Sequence, residues 1–176
     1  FGQDQWFAEF LRAPNGYFVE IGAGEGLEGS NSLWFESAGW SGLCIEQCEE
    51  LFSQLSKNRM CAVSSVRLGG GDGNGQVRSL ESVMDEVSAP DVIDYLSISA
   101  GASVSNILAG LGWKTRLARA IGVEHGGSDD LAKRIEGILN PRGYVLCGLS
   151  EREDYYLLFP DRDKCPMTPR LDLFAE

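Results

Sequence analysis

The chain has 176 residues and a formal net charge of −11, from 26 acidic against 15 basic side chains. That sign opposes nucleic-acid phosphates and anionic lipid, no cluster of Lys and Arg overrides it, and no apolar run approaches the ~20 residues of a spanning helix. Nucleic-acid partners and direct membrane insertion are therefore not expected. The length suits one domain over 1–176 and is enough to bury a substantial core. A chain of this kind is expected to be soluble or held by other proteins, and its start at Phe1 is what removal of a presequence would leave.

Gln3 to Leu11 reads as a short leading helix, with Trp6, Phe7, Phe10 and Leu11 on one face and a stop at Pro14-Asn-Gly16, expected to cap one side of a sheet. Tyr17 to Ile21 is too short for a helix and rich in β-formers, so it reads as the first strand. It runs into Gly22-Ala23-Gly24-Glu25-Gly26, where glycines permit a tight turn and close approach of the backbone to a ligand. The spacing departs from G-x-G-x-x-G, because the third glycine comes one residue early and the acid Glu20 precedes the first. This favours a nucleoside ligand without a pyrophosphate. Ser30 to Ala38 reads as a crossover helix stopped by Gly39, with Ser30 and Asn31 bordering the ligand, and Gly42 to Ile45 as the second strand. Glu46 then stands where an adenosine-binding sheet places a carboxylate for the ribose hydroxyls. The alternative is that Glu20 and Glu46 are solvated strand-end acids around an ordinary glycine turn.

Cys48, Leu51, Phe52 and Leu55 fall at helical spacing, and Met60 to Val66 reads as a third strand. The segment from Gly69 to Gly75 carries five glycines. It lacks the Lys and the Ser or Thr that a phosphate loop places at the start of its helix, so it reads as a mobile spacer. A helix follows with Leu80, Val83, Met84 and Val87 on its core face, then a fourth strand, Ile93 to Ile98, and a helix with Val104, Ile107, Leu108 and Leu111. Ala120 to Val123 is the fifth strand and leads to Glu124 and His125. Ser128 opens a helix with Asp129 and Asp130 in its first turn, where the helix dipole favours acids, and with Leu131, Ile135, Ile138 and Leu139 buried. After Asn140-Pro-Arg-Gly143, the runs Tyr144 to Leu149 and Tyr155 to Phe159 form a closing antiparallel hairpin around the charged Ser150 to Asp154. The tail 160–176, with Pro160, Pro166 and Pro169, is expected to be irregular.

The five cysteines, Cys44, Cys48, Cys61, Cys147 and Cys165, contain no C-x-x-C pair, and there is a single histidine, so no zinc site is expected. Cys44 and Cys147 lie in apolar strand-like runs and read as buried free thiols. Cys48 and Cys61 could pair in an oxidising compartment, and the sequence leaves that open.

The chain resembles the FkbM-type methyltransferases, which use S-adenosyl-L-methionine. The resemblance is carried in order by Gly2-Gln-Asp-Gln-Trp6, by Gly16 to Gly26, by Ser30-Asn-Ser-Leu-Trp-Phe-Glu36, by Gly39-Trp-Ser-Gly-Leu-Cys-Ile-Glu46 and by Asn58-Arg59 with Cys61. Ile93-Asp-Tyr-Leu-Ser-Ile98, Val123-Glu-His125 and Gly143-Tyr144 continue it. It implies a Rossmann-like class I methyltransferase fold, α/β, with a seven-stranded mostly parallel sheet, helices on both faces, and a last strand inserted antiparallel. It also implies a donor site at Glu20, Gly22, Ala23, Gly24, Gly26, Ser30, Asn31 and Glu46.

One departure from the family stands out. Members usually follow the fourth strand with Asp-x-Glu-Gly-x-Glu, whose carboxylates face the methyl donor and acceptor. Here the same register reads Ser99-Ala-Gly-Ala-Ser-Val104, so Ser99, Gly101 and Val104 replace all three acids. Methyl transfer to an alcohol is an in-line displacement in which the hydroxyl loses its proton, and a positioned base typically contributes ~10²–10⁴-fold. Glu124 and His125 are the substitutes expected at the same carboxyl edge, whereas Asp94 opens its strand and belongs at the opposite edge. Two readings follow. Either the domain keeps a donor pocket without turnover, as a binding module or structural subunit among other protein subunits, or it is an active O-methyltransferase on a hydroxylated small molecule or sugar.

Overall fold

The computed structural model describes residues 3–11, 13–69, 77–158 and 165. In chain order the strands are β1 (Tyr17–Ile21), β2 (Ser41–Ile45), β3 (Ala62–Ser64), β4 (Arg67–Leu68), β5 (Val77–Arg78), β6 (Val92–Ile98), β7 (Leu117–Glu124), β8 (Tyr144–Leu149) and β9 (Glu153–Leu158). Between them lie the helices α1 (Gln3–Ala8), α2 (Leu33–Ser37), α3 (Glu49–Asn58), α4 (Leu80–Glu86), α5 (Val104–Ala109) and α6 (Asp129–Leu139). Seven strands form one sheet in the order β3-β2-β1-β6-β7-β9-β8. β1, β2, β3, β6 and β7 pair in parallel, and β9 enters antiparallel between β7 and β8. This is the Rossmann-like class I methyltransferase arrangement that the sequence leads one to expect. β4 and β5 form a separate two-stranded ladder.

Strand alternation sorts the core into two layers. Val19, Ile21, Leu43, Ile45, Leu96, Ile98, Ile121 and Val123 face one side, against Leu80, Val83 and Met84 of α4, Val104, Ile107 and Leu108 of α5, and Leu131, Ile135 and Leu139 of α6. Phe18, Cys44, Tyr95 and Ala120 face the other, against Phe7 of α1, Phe35 of α2 and Leu55 of α3. Both faces of the central strands are thus buried, which is why those strands read as nearly continuous apolar runs. No helix among the described residues is long and apolar enough to cross a membrane.

Several elements differ from expectation, each for a local reason. The leading helix ends at Ala8, because the Phe7 carbonyl takes both the Phe10 and Leu11 N–H groups and closes the chain into a turn. The crossover helix shrinks to Leu33–Ser37 because Ser30, Asn31 and Ser32 are drawn onto the Glu20 carboxylate instead of into a first turn. The third strand keeps only Ala62–Ser64. The last strand begins at Glu153 rather than Tyr155. Glu153 and Asp154 are buried there with the hydroxyls of Tyr155 and Tyr156 as donors at 2.7 and 3.2 Å. Cys147 is not a free thiol: it is joined to Cys165 in a disulfide. Cys44, Cys48 and Cys61 are free. Cys61 lies 3.5 Å from Cys44, while the Cys48 thiol is turned to Glu50 at 3.1 Å. Residues 70–75 of the expected spacer, and the tail apart from Cys165, lie outside the described residues.

Candidate functional site

The carboxyl ends of β1, β2 and β6 surround a cleft of ≈ 130 Å³, lined by Ile21, Gly22, Ile45, Glu46, Gln47, Val66, Leu68, Ser99, Ala100, Ser103 and Ile107. This is the edge at which open α/β sheets bind ligands. Two of the expected donor-site residues, Gly22 and Glu46, line it directly. Glu46 is anchored at both oxygens: Oε2 accepts the Gly24 N–H at 2.9 Å and Oε1 the Cys48 N–H at 2.8 Å. A carboxylate held this way keeps lone pairs for further donors.

The three loop glycines all have positive φ but serve different neighbours. A Cβ on Gly22 would collide with the Ser99 carbonyl oxygen, and one on Gly26 with Leu55 and Arg59, so both positions are required by the protein's own packing. Nothing lies within 4 Å of a Cβ built on Gly24. Gly24 is therefore the loop residue that faces open space beside Glu46. Ala23 is buried in the layer containing Phe18 and Phe35, away from the cleft lining.

Glu20, Ser30 and Asn31 form a different assembly. Glu20 is 2% exposed. It accepts from Ser30 Oγ at 2.9 Å, Asn31 N at 2.7 Å and Ser32 Oγ at 2.6 Å. The Arg59 guanidinium closes the cluster, with Nη1 3.5 Å from Glu20, Nε 2.6 Å from Glu36, and further bonds to the Ser30 and Ser32 hydroxyls and the Gly26 carbonyl. Burial pushes the Glu36 pKa up, but the Arg59 hydrogen bond and charge outweigh it and hold it below the ordinary value. Asn31 Nδ2 reaches Ser97, and Gln3 Oε1 accepts from both Ser97 and Tyr95. The network shapes the glycine loop from beneath and touches the cleft only through it. Sequence patterning missed Arg59 as its centre, since a basic residue after a helix ordinarily reads as solvated; only the Asn58-Arg59 pair in the resemblance marked the position.

At the positions of the absent acids, Ser99 lines the cleft and donates its hydroxyl to Glu124, whose other oxygen accepts from Arg152 at 3.3 Å. Gly101 is exposed, and Val104 is 0% exposed within the apolar layer. His125 is turned away: Nε2 lies 3.6 Å from Asp154 Oδ1, and Nδ1 accepts the Gly127 N–H at 3.2 Å. Burial raises the Asp154 pKa, against the pull of the His125 charge and the Tyr156 hydroxyl. Asp94 sits at the opposite edge, where it accepts the Tyr17 N–H at 2.9 Å and pairs with Arg119 at 3.0 Å. No group of three or more metal-ligating side chains occurs among the described residues.

The sheet order is that of the class I methyltransferase fold. Solved structures agree in fold. The chain is similar to the precorrin-6y C5,15-methyltransferase of Geobacter metallireducens, with TM-score 0.54 and 15% identity, covering 88% of this chain and 87% of that one. It is similar to the sugar N-methyltransferase KedS8 of Streptoalloteichus, with TM-score 0.58 and 8% identity over 89% and 87% of the two chains. TrmK of M. capricolum, solved with S-adenosyl-homocysteine, gives TM-score 0.50 and 9% identity over 86% and 66%. No family model matches the sequence, and the search of curated proteins finds no match.

Proposed function

We propose that the chain is a degenerate FkbM-type domain that retains a site for S-adenosyl-L-methionine without transferring its methyl group, and acts as a binding or structural subunit among other proteins. The observation that carries this reading is the fate of the three acid positions. Ser99 is engaged with Glu124, Gly101 has no side chain, and Val104 is sealed in the core. An acid restored at 104 would have to be buried without a partner, at a cost that a working site does not carry. His125, the other substitute, is held by Asp154 and does not line the cleft.

Retention of the donor is supported by the residues that remain. Glu46 would accept from the ribose hydroxyls, Val66, Leu68 and Ile107 would supply apolar contact to the base, and the bare Gly24 would let the ligand approach. At ≈ 130 Å³ the cleft falls below the ~300 Å³ at which enclosed ligand sites begin, so part of the ligand would lie across the open mouth. When bound, the cofactor supplies an electrophilic methyl on sulfur.

One observation favours a second reading, an active O-methyltransferase on a hydroxylated small molecule or sugar. The Ser99 hydroxyl already donates to Glu124, so a proton taken up at Ser99 has a carboxylate behind it. The two readings separate by titrating the protein calorimetrically with S-adenosylmethionine and with S-adenosylhomocysteine, then incubating it with methyl-labelled donor and hydroxylated substrates. Heat with both ligands and no label transfer is expected. No heat at millimolar ligand refutes donor binding, and label transfer that Glu124→Gln abolishes establishes the second reading.

A further inference from the structure

Beneath the cleft, on the opposite face of β2, three groups stand in line. The Cys61 thiol lies 3.5 Å from Cys44 Sγ, and the Cys44 thiol lies 3.8 Å from the Glu20 carboxylate. Cys44 is wholly buried in β2, whereas Cys61, on the turn that leads into the neighbouring β3, is partly exposed. We propose that Cys44 and Cys61 form a reversible disulfide that staples β2 to the turn carrying Arg59.

The chemistry follows from the difference in exposure. The Cys61 thiolate attacks one sulfur of a small-molecule disulfide such as oxidised glutathione, expelling one thiolate and leaving a mixed disulfide on Cys61. The Cys44 thiol then attacks the Cys61 sulfur, expelling the second thiolate, which takes up the Cys44 proton. The two expelled thiolates take up the two protons that the protein thiols release. Two protein thiols are oxidised, and one external disulfide is reduced to two thiols. The hydrogen bond with Cys61, burial and the Glu20 charge all push the Cys44 pKa up, which leaves the partly exposed Cys61 to react first. Cys61 is the entry point and Cys44 the resolving thiol. Cys48, bonded to Glu50, has no part in the exchange.

The staple acts on the site through its neighbours in sequence. Arg59, two residues before Cys61, holds Gly26, Ser30 and Ser32. Glu46, two residues after Cys44, holds Gly24. Joining the cysteines ties both anchors of the glycine loop to one covalent frame. The inference does not depend on whether methyl is transferred.

The test equilibrates the reduced full chain with oxidised glutathione, alkylates the remaining thiols, and maps tryptic peptides by mass spectrometry. The expected product joins the Cys44 and Cys61 peptides with loss of two hydrogens and leaves Cys48 alkylated. Wild type should then melt at least about 5 °C above Cys61→Ser in the same buffer, as closing a loop of this size predicts. Cys61 is partly exposed, so Cys61→Ser preserves the fold and must lose the cross-link. Glutathione retained on Cys61 with Cys44 alkylated, or Cys61 joined to Cys48, overturns the proposal.

Discussion

Arg59→Met removes the guanidinium at the centre of the network beneath the glycine loop while keeping the bulk of its stem. The Arg59 side chain is 0% exposed and lies 2.6 Å from Glu36 and 3.5 Å from Glu20. Without it, Glu20 retains the Ser30, Asn31 and Ser32 donors, and Glu36 retains the N–H groups of Met60 and Cys61 at 3.1 and 2.6 Å. The loss is therefore that of breaking one buried ion pair, about 3–5 kcal/mol, and not the sum of every contact. From a total stability of roughly 5–15 kcal/mol this is a large fraction, and at about 2–4 °C per kcal/mol it lowers Tm by roughly 6–20 °C. Urea unfolding should show a lower midpoint with an unchanged m-value, and a double-mutant cycle with Glu36→Gln should give a coupling of roughly 0.5–3 kcal/mol. A loss below about 1 kcal/mol in Arg59→Met would mean that the network does not hold the loop, and the reasoning would fail.

Glu46→Ala should weaken binding of S-adenosylhomocysteine by about 1–3 kcal/mol in a calorimetric titration, as expected for lost hydrogen bonds to a charged acceptor; unchanged affinity would place the ribose elsewhere. Gly22→Ala, which drives a methyl into the Ser99 carbonyl, should cost more than 3 kcal/mol. Gly24→Ala, with φ +58 but open space, should cost only about 1 kcal/mol while obstructing ligand; equal losses in the two variants would contradict the packing argument. The depressed Glu36 pKa contributes stability that is present above the ordinary value of 4.5 and disappears as pH falls through the lowered folded value. Melting curves across that acid range should therefore flatten in Glu36→Gln relative to wild type, and parallel curves would show that the pair carries no pH dependence.

What the sequence made legible was the part governed by local periodicity. The runs Tyr17 to Ile21, Gly42 to Ile45 and Ile93 to Ile98 are readable as strands because they are short apolar runs, too short for a helix, and are bounded by turns or polar ends. Helical faces such as Leu80, Val83 and Met84 are packed as their spacing requires. Glu46, at a strand end, and Gly22, in the turn, both line the cleft. Glu20 was harder, since a strand-end acid reads the same whether it meets a ligand or an internal arginine 39 residues on. Cys147 misled for a related reason: its apolar run predicts burial, and the partner that makes it a disulfide lies in an aperiodic segment. Glu153 and Asp154 looked like hairpin-loop charges because the tyrosine hydroxyls that satisfy them belong to the next two residues of the strand itself.

The insertion of β9 between β7 and β8 bears on how the chain is made. During synthesis β7 and β8 emerge from the ribosome before the strand that separates them; β8 has no partner, and β7 has only β6, until Leu158 has followed. β7 is then a long, apolar edge with unpaired backbone groups along one side, open to pairing with another nascent chain. Ribosome-held chains ending shortly before Glu153 should thus be the most dependent on chaperones, and those extending past Leu158 abruptly less so.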